Sequence, residues 1–161
     1  MQDADSYETY KPNKKATWWM GAVERLEDEV GIQEAIEIMK ACGRRCCSQG
    51  HRTTAKRLMA ESSSVEEFLV KTSQYGVKEG AIEYKLKDER TIVGQFNRCF
   101  CGQVKRTTTP FKNRTYCHCS TEFHKHFFEA ALGKDVHVEI IQSIISGATC
   151  CIFLIYLNDN E

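Results

Sequence analysis

The chain has 161 residues, 42% apolar and 27% charged, with twenty-two Lys plus Arg set against twenty-two Asp plus Glu. That length and composition describe one globular domain with its own core and exclude a disordered, low-complexity chain. Zero net charge lacks the basic surplus that neutralising phosphates requires, so no nucleic-acid partner is expected.

The first fifteen residues, MQDADSYETYKPNKK, are polar, with no apolar periodicity and no signal-peptide core. They are read as a disordered arm ahead of a single α+β domain over residues 16–161. From Thr17 the pattern turns helical, with Trp18, Ala22, Leu26 and Val30 one turn apart until Gly31 interrupts. A second helix follows, carrying Ile32, Ala35, Ile36, Met39 and Cys42 on one stripe and closing at Ser48-Gln49-Gly50. A short helix is expected over Thr53 to Ala60. Ser64-Val65-Glu66-Glu67 then reads as a capping box for a helix that Gly76 stops.

The period next drops to two. Ile82, Tyr84 and Leu86 alternate with Glu83 and Lys85, the mark of a strand with one wet face. Lys87 to Arg90 supplies a turn, and Thr91 to Cys101 reads as the returning strand. Residues 102–115 form a polar loop around Pro110. Ser120 is expected to cap a helix from Thr121 to Leu132, ended by Gly133. Two strands, Val136 to Ile145 and Cys150 to Leu157, are joined through Ser146-Gly147; both faces are apolar, so they belong mid-sheet or under helices. The expected fold is a helical N-terminal half packed on an antiparallel sheet of about four strands with one inserted helix. The run from Cys150 to Leu157 is far shorter than the roughly 20 residues of a membrane helix, so no membrane partner and a cytoplasmic location are expected.

Cysteines in a reducing compartment point to metal or redox chemistry before disulfides. Six of the nine form short pairs: Cys42 with Cys46, Cys99 with Cys101, and Cys117 with Cys119. Positions i and i+4 share a helix face, and positions i and i+2 share a strand face, so each pair can point at one atom. Thiolates are soft donors for zinc, copper(I) or iron–sulfur clusters, and four of them close a tetrahedral zinc site. Zinc held by some of these six is the leading expectation. Cys47, Cys150 and Cys151 are assigned to packing. Cys119, just ahead of the expected helix start, is also a candidate nucleophile with a depressed pKa. Glu122 and His126 are i,i+4 partners, whereas His124 and His126 diverge and are read as surface residues.

ACGRRC at Ala41 to Cys46, CFC at Cys99 to Cys101, YCHCS at Tyr116 to Ser120 and the run from Phe127 to Phe153 resemble a prokaryotic cysteine-rich family. That family is similar to L-2-amino-thiazoline-4-carboxylic acid hydrolase, and the resemblance spans roughly residues 32–157. From Tyr116 onward the chain more distantly resembles the 4-vinyl reductase domain, a small-molecule-binding α+β module. The shared features are Leu132-Gly133, the Val136-x-Val138-Glu139 strand and Gly147-x-x-x-Cys151-Ile152-Phe153. The resemblance implies a helix-flanked sheet, a small-molecule ligand held between helices and sheet, and a homodimer. It also implies the alternative function: a cysteine-dependent hydrolase of a small C–N bonded substrate, with Cys119 as nucleophile. Where the vinyl reductase pattern is glycine-rich, this chain has His118-Cys119-Ser120, which favours a thiolate-based site. The leading expectation is a zinc-binding sensory or ligand-binding domain.

Overall fold

A computed structural model of the protein describes residues 13–158. Most of the expected arm, residues 1–12, lies outside the described residues. Asn13 caps the first helix, its side chain accepting from the Lys15 amide. The helices are α1 (Lys14–Val30), α2 (Ile32–Cys46), α3 (Gln49–Ala60), α4 (Val65–Gln74) and α5 (His118–Leu132). The strands are β1 (Ile82–Asp88), β2 (Thr91–Phe96), β3 (Val136–Gln142) and β4 (Cys151–Leu157). They form one antiparallel sheet in the order β1-β2-β4-β3, and the fold is α+β as expected.

Local chemistry accounts for most of these boundaries. Gly31 separates α1 from α2 at φ 83°, which a residue with a Cβ rarely adopts. Ser48 starts α3 rather than closing α2, because its hydroxyl accepts from the His51 amide while His51 returns a contact to the Ser48 amide. The helix therefore opens four residues before Thr53. Ser64 accepts from the Glu67 amide as the capping box requires, but the Glu67 carboxylate bonds Ser63 instead of Ser64.

The sheet presents one face to the helices. Tyr84 is buried between exposed Glu83 and Lys85, with Ile82 and Leu86 half-buried. β4 is an inner strand, as its sequence suggests. β3 is an edge strand whose alternate residues His137, Glu139 and Ile141 are exposed, so its apolar character does not mean burial on both faces. The larger core lies between sheet and helices and includes Phe68, Ile92, Phe128, Val136 and Ile155, each 0% exposed. Aromatic rings meet edge-to-face inside it, Phe68 with Phe128 at 6.0 Å and Tyr84 with Phe128 at 5.3 Å.

A second, smaller core joins α1, α2 and the long loop after β2. It comprises Ala16, Val23, Met39, Val104, Phe111, Tyr116 and Ile145, with Trp19 and Met20 against it. The buried stripe of α1 thus runs through Ala16 and Val23, while Trp18 and Val30 point outward. On α2 it runs through Ala35, Met39 and Gly43, leaving Ile32 exposed.

Candidate functional site

Gly43 is the key to the cysteines. It lies in the interior of α2, buried, where glycine costs about 1 kcal/mol relative to alanine in a helix. A Cβ at this position would stand 2.1 Å from the Cys119 carbonyl oxygen and 2.7 Å from the Cys119 Cα. The missing side chain therefore lets α2 cross directly on the backbone of Cys119 at the start of α5. Cys42 and Cys46, on either side of Gly43, come to the rim of this crossing and are exposed.

The third pair arrives by loop. β2 ends at Phe96, so Cys99 and Cys101 lie beyond the strand, and no strand pleat aligns them. The loop is fixed at both ends. The Asn13 side-chain amide donates to the carbonyls of Gly102, Gln103 and Lys105, and the Phe111 amide donates to Ile145. Cys117 closes a short 3-10 turn and Cys119 is already inside α5, whose first residue is His118. Ser120 is thus not the helix cap; Cys117 occupies that position. Cys99, Cys101, Cys117 and Cys119 all pack against the smaller core around Tyr116. Cys101 Sγ lies 3.3 Å from the Tyr116 hydroxyl and Cys117 Sγ 3.0 Å from the Ser143 hydroxyl.

Electrostatics shows which thiols neighbour one another. Burial pushes the Cys119 thiol up to about 12, and repulsion from Cys101, Cys46 and Cys42 adds to the rise. Cys46 is raised by burial and then by Cys101 and Cys42. Cys117 is raised by burial and then by Cys119, Cys151 and Cys99. Burial pushes Cys99 up to about 11. Cys42, Cys46, Cys101 and Cys119 thus neighbour one another, and Cys119 also faces Cys117 while Cys101 also faces Cys99, so the two sets join. As their side chains stand, no three His, Cys, Asp or Glu among the described residues form a metal-holding group.

The helix N-terminus does not win at Cys119. A dipole worth a fraction of a kcal/mol to about 2 kcal/mol is outweighed by desolvation and neighbouring thiols, so the pKa rises where the sequence suggested a fall. Its sulfur lies 4.0 Å from the Ser120 hydroxyl. Of the packing assignments, Cys47 is 1% and Cys151 8% exposed, and Cys150 accepts from the Gln142 amide. Glu122 and His126 do meet, at 3.5 Å, with Arg44 3.8 Å from the same carboxylate oxygen.

His124 is not a surface residue. It is 1% exposed, its Nδ1 lies 2.6 Å from the Ser120 carbonyl oxygen and its Nε2 3.0 Å from the Tyr84 hydroxyl. Burial lowers its pKa to about 4, so the ring is neutral near pH 7. A sequence signal was present: His124 lies one helical turn before Phe127 and Phe128 and so shares their buried side. Beside the cysteines, a cleft of about 440 Å³ opens between α2, the loop end and His118.

Two of the solved structures to which this chain is similar are a trafficking subunit and a sensory domain. The trafficking protein particle complex subunit 3 from Naegleria fowleri, covalently bound to palmitic acid, is 12% identical with a TM-score of 0.57, covering 90% of this chain and 93% of that one. The phenol-responsive sensory domain of the transcription activator PoxR, with phenol, is 16% identical with a TM-score of 0.49, covering 89% and 74%. At such identities the first likeness shows the fold alone. No curated protein sequence matches the chain. A family model matches residues 3–161, nearly the whole chain, and the protein belongs to that family, the family of unknown function DUF6144.

Proposed function

We propose that Cys42, Cys46, Cys101 and Cys119 hold one thiophilic metal ion, zinc by preference, in a small-molecule-binding domain of sensory type. The observation that carries this reading is the contact of Gly43 with the Cys119 backbone, which brings a helical i,i+4 cysteine pair onto a third thiol, with Cys101 near enough to act on both Cys46 and Cys119. Four thiolates suit a closed tetrahedral site. Rotation about χ1 re-aims each sulfur between staggered wells without moving the backbone. Thiols that repel one another as anions are those a divalent cation would deprotonate, since it replaces the repulsion by attraction.

Such an ion would clamp α2 to α5 and to the loop after β2. The cleft is lined by Ile32 and Ile36 of α2 and by His118, the first residue of α5 and the neighbour of Cys119, so a ligand there and the metal would both bear on the place where these helices meet. Support for the ligand-binding half comes from that cleft and from a fold that in another protein carries palmitic acid. The hydrolase alternative would need a thiolate at Cys119, and burial opposes it.

Elemental analysis of protein purified without chelator tests the reading. About one equivalent of zinc is expected, lost in Cys46→Ser and kept in Cys150→Ser. Removing the metal should lower the melting temperature by several degrees or more. Metal-free protein that melts identically with and without added zinc would rule the site out.

A further inference from the structure

The cleft beside the cysteines has a chemistry of its own. Lys112 and Arg114 stand on its wall, and no Asp or Glu is among its lining residues. The Arg114 guanidinium donates to the Ile141 carbonyl, which fixes one of its five N–H groups and orients the planar fork. Thr115 lines the same cleft and is 1% exposed, yet its hydroxyl has no hydrogen-bond partner among the described residues. The buried Nδ1 of His118, also on the lining, has none either. Leaving a buried polar group unpaired costs about 1–3 kcal/mol, so two in one cleft make it a site with unused hydrogen-bonding capacity. Ile32 and Ile36 of α2 supply an apolar side, and Ile32 is 51% exposed. A volume of about 440 Å³ suits a small molecule.

We propose that this cleft binds the carboxylate of a small organic acid, Arg114 and Lys112 meeting its charge and Ile32 and Ile36 packing its apolar body. Thr115 and His118 complete the polar end by donating to the carboxylate oxygens. The planar guanidinium matches a carboxylate in two parallel hydrogen bonds, which a point charge would not. An inorganic anion would leave the isoleucine wall uncovered. The proposal deepens the small-molecule half of the function argued above and does not depend on the metal.

Benzoate is the probe, titrated into isotope-labelled protein as purified and followed by the amide resonances of Thr115, His118 and Ser143. Zinc content is measured on the same sample, so a failure of the metal reading and a failure of this one appear separately. Saturable shifts with Kd at or below about 1 mM are expected. Neutral benzamide and the exposed-site variant Arg114→Gln should each bind about tenfold more weakly or worse, the loss of one charge-assisted contact. Thr115→Val removes the unpaired hydroxyl, so it should weaken benzoate while holding or raising the melting temperature. Absence of saturation, equal affinity for benzamide, an unchanged Kd in Arg114→Gln, or saturable binding of inorganic phosphate without benzoate would each overturn the proposal.

Discussion

The two cores of this domain are built on different principles. The sheet-side core is closed by large apolar side chains from α3, α4, α5 and the strands, with Phe68 and Phe128 wholly buried. Its polar pair is satisfied, since His124 is engaged at both ring nitrogens by Ser120 and Tyr84. The smaller core has Val104, Phe111, Tyr116 and Ile145 at its centre but is rimmed by four cysteines and held by a long loop. Beside it, α2 lies on the Cys119 backbone at Gly43, where no side chain intervenes. One region derives its stability from apolar area; the other depends on geometry that brings thiols together. If the thiols hold a metal as proposed, the substitutions that empty that site and those that weaken the apolar core should differ.

The largest effects sharpen that contrast. Phe128→Ala should cost about 3–5 kcal/mol in urea unfolding, the loss of a buried ring plus its cavity, with metal content retained in the fraction that folds. Gly43→Ala adds one methyl yet should cost about 3 kcal/mol, because the Cβ would meet a backbone carbonyl that cannot swing aside. Unlike Phe128→Ala, it should abolish metal retention even where the chain still folds. If Gly43→Ala were neutral in both measurements, α2 would not cross on Cys119 as described.

Acid comes next. His124 has a folded pKa of about 4 against an ordinary histidine value of 6.5, so below 6.5 the unfolded chain binds the proton more readily. Stability from this residue is full above pH 6.5, falls as pH drops and levels off below about 4, a span on the order of 3 kcal/mol. Urea midpoints measured between pH 7 and pH 4 should decline, and His124→Phe should remove that part of the slope. A slope unchanged in the variant would mean another group carries it. The thiols contribute in the opposite range: with folded pKa raised, their stabilising effect is full below the ordinary thiol pKa and is lost as pH rises from there toward the folded value, because the unfolded chain gives up the proton first. In plain terms, ν for these thiols is larger in the folded state, so unfolding becomes easier as pH climbs through the unfolded thiol pKa.

The sequence makes the sheet easy to read and the junction hard. Strict alternation at Ile82, Tyr84 and Leu86 identifies β1 without any tertiary information. The Cys42–Cys46 pair on α2 is equally legible, since helical spacing fixes it. Cys99 and Cys101 mislead because the returning strand is expected to run on to Cys101, whereas β2 ends at Phe96, its last residue to pair with β4, at Cys151. Cys117 and Cys119 mislead because the helix begins in the run Cys117-His118-Cys119, which has no conventional cap. The α1 stripe is offset: Ala16 and Val23 meet the smaller core, while Trp18 and Val30 of the expected stripe point outward. Gly43 was the one available signal of the crossing, a glycine where helix propensity argues against it.

The smallest predicted effect is a control on that signal. Gly21, also within a helix, is exposed and has nothing within 4 Å of a built Cβ. Gly21→Ala should therefore stabilise the domain by about 0.5–1 kcal/mol, opposite in sign to Gly43→Ala. Equal destabilisation by both would remove the special status of Gly43.

The most direct test of the junction is the accessibility of Cys119 to a thiol-alkylating reagent, mapped by mass spectrometry with and without chelator near neutral pH. A metal clamp predicts that Cys42, Cys46, Cys101 and Cys119 are protected together and become reactive together on chelation, while buried Cys47 stays protected in both states. Rapid labelling of Cys42 and Cys46 in the untreated protein, with Cys119 unchanged by chelation, would contradict it.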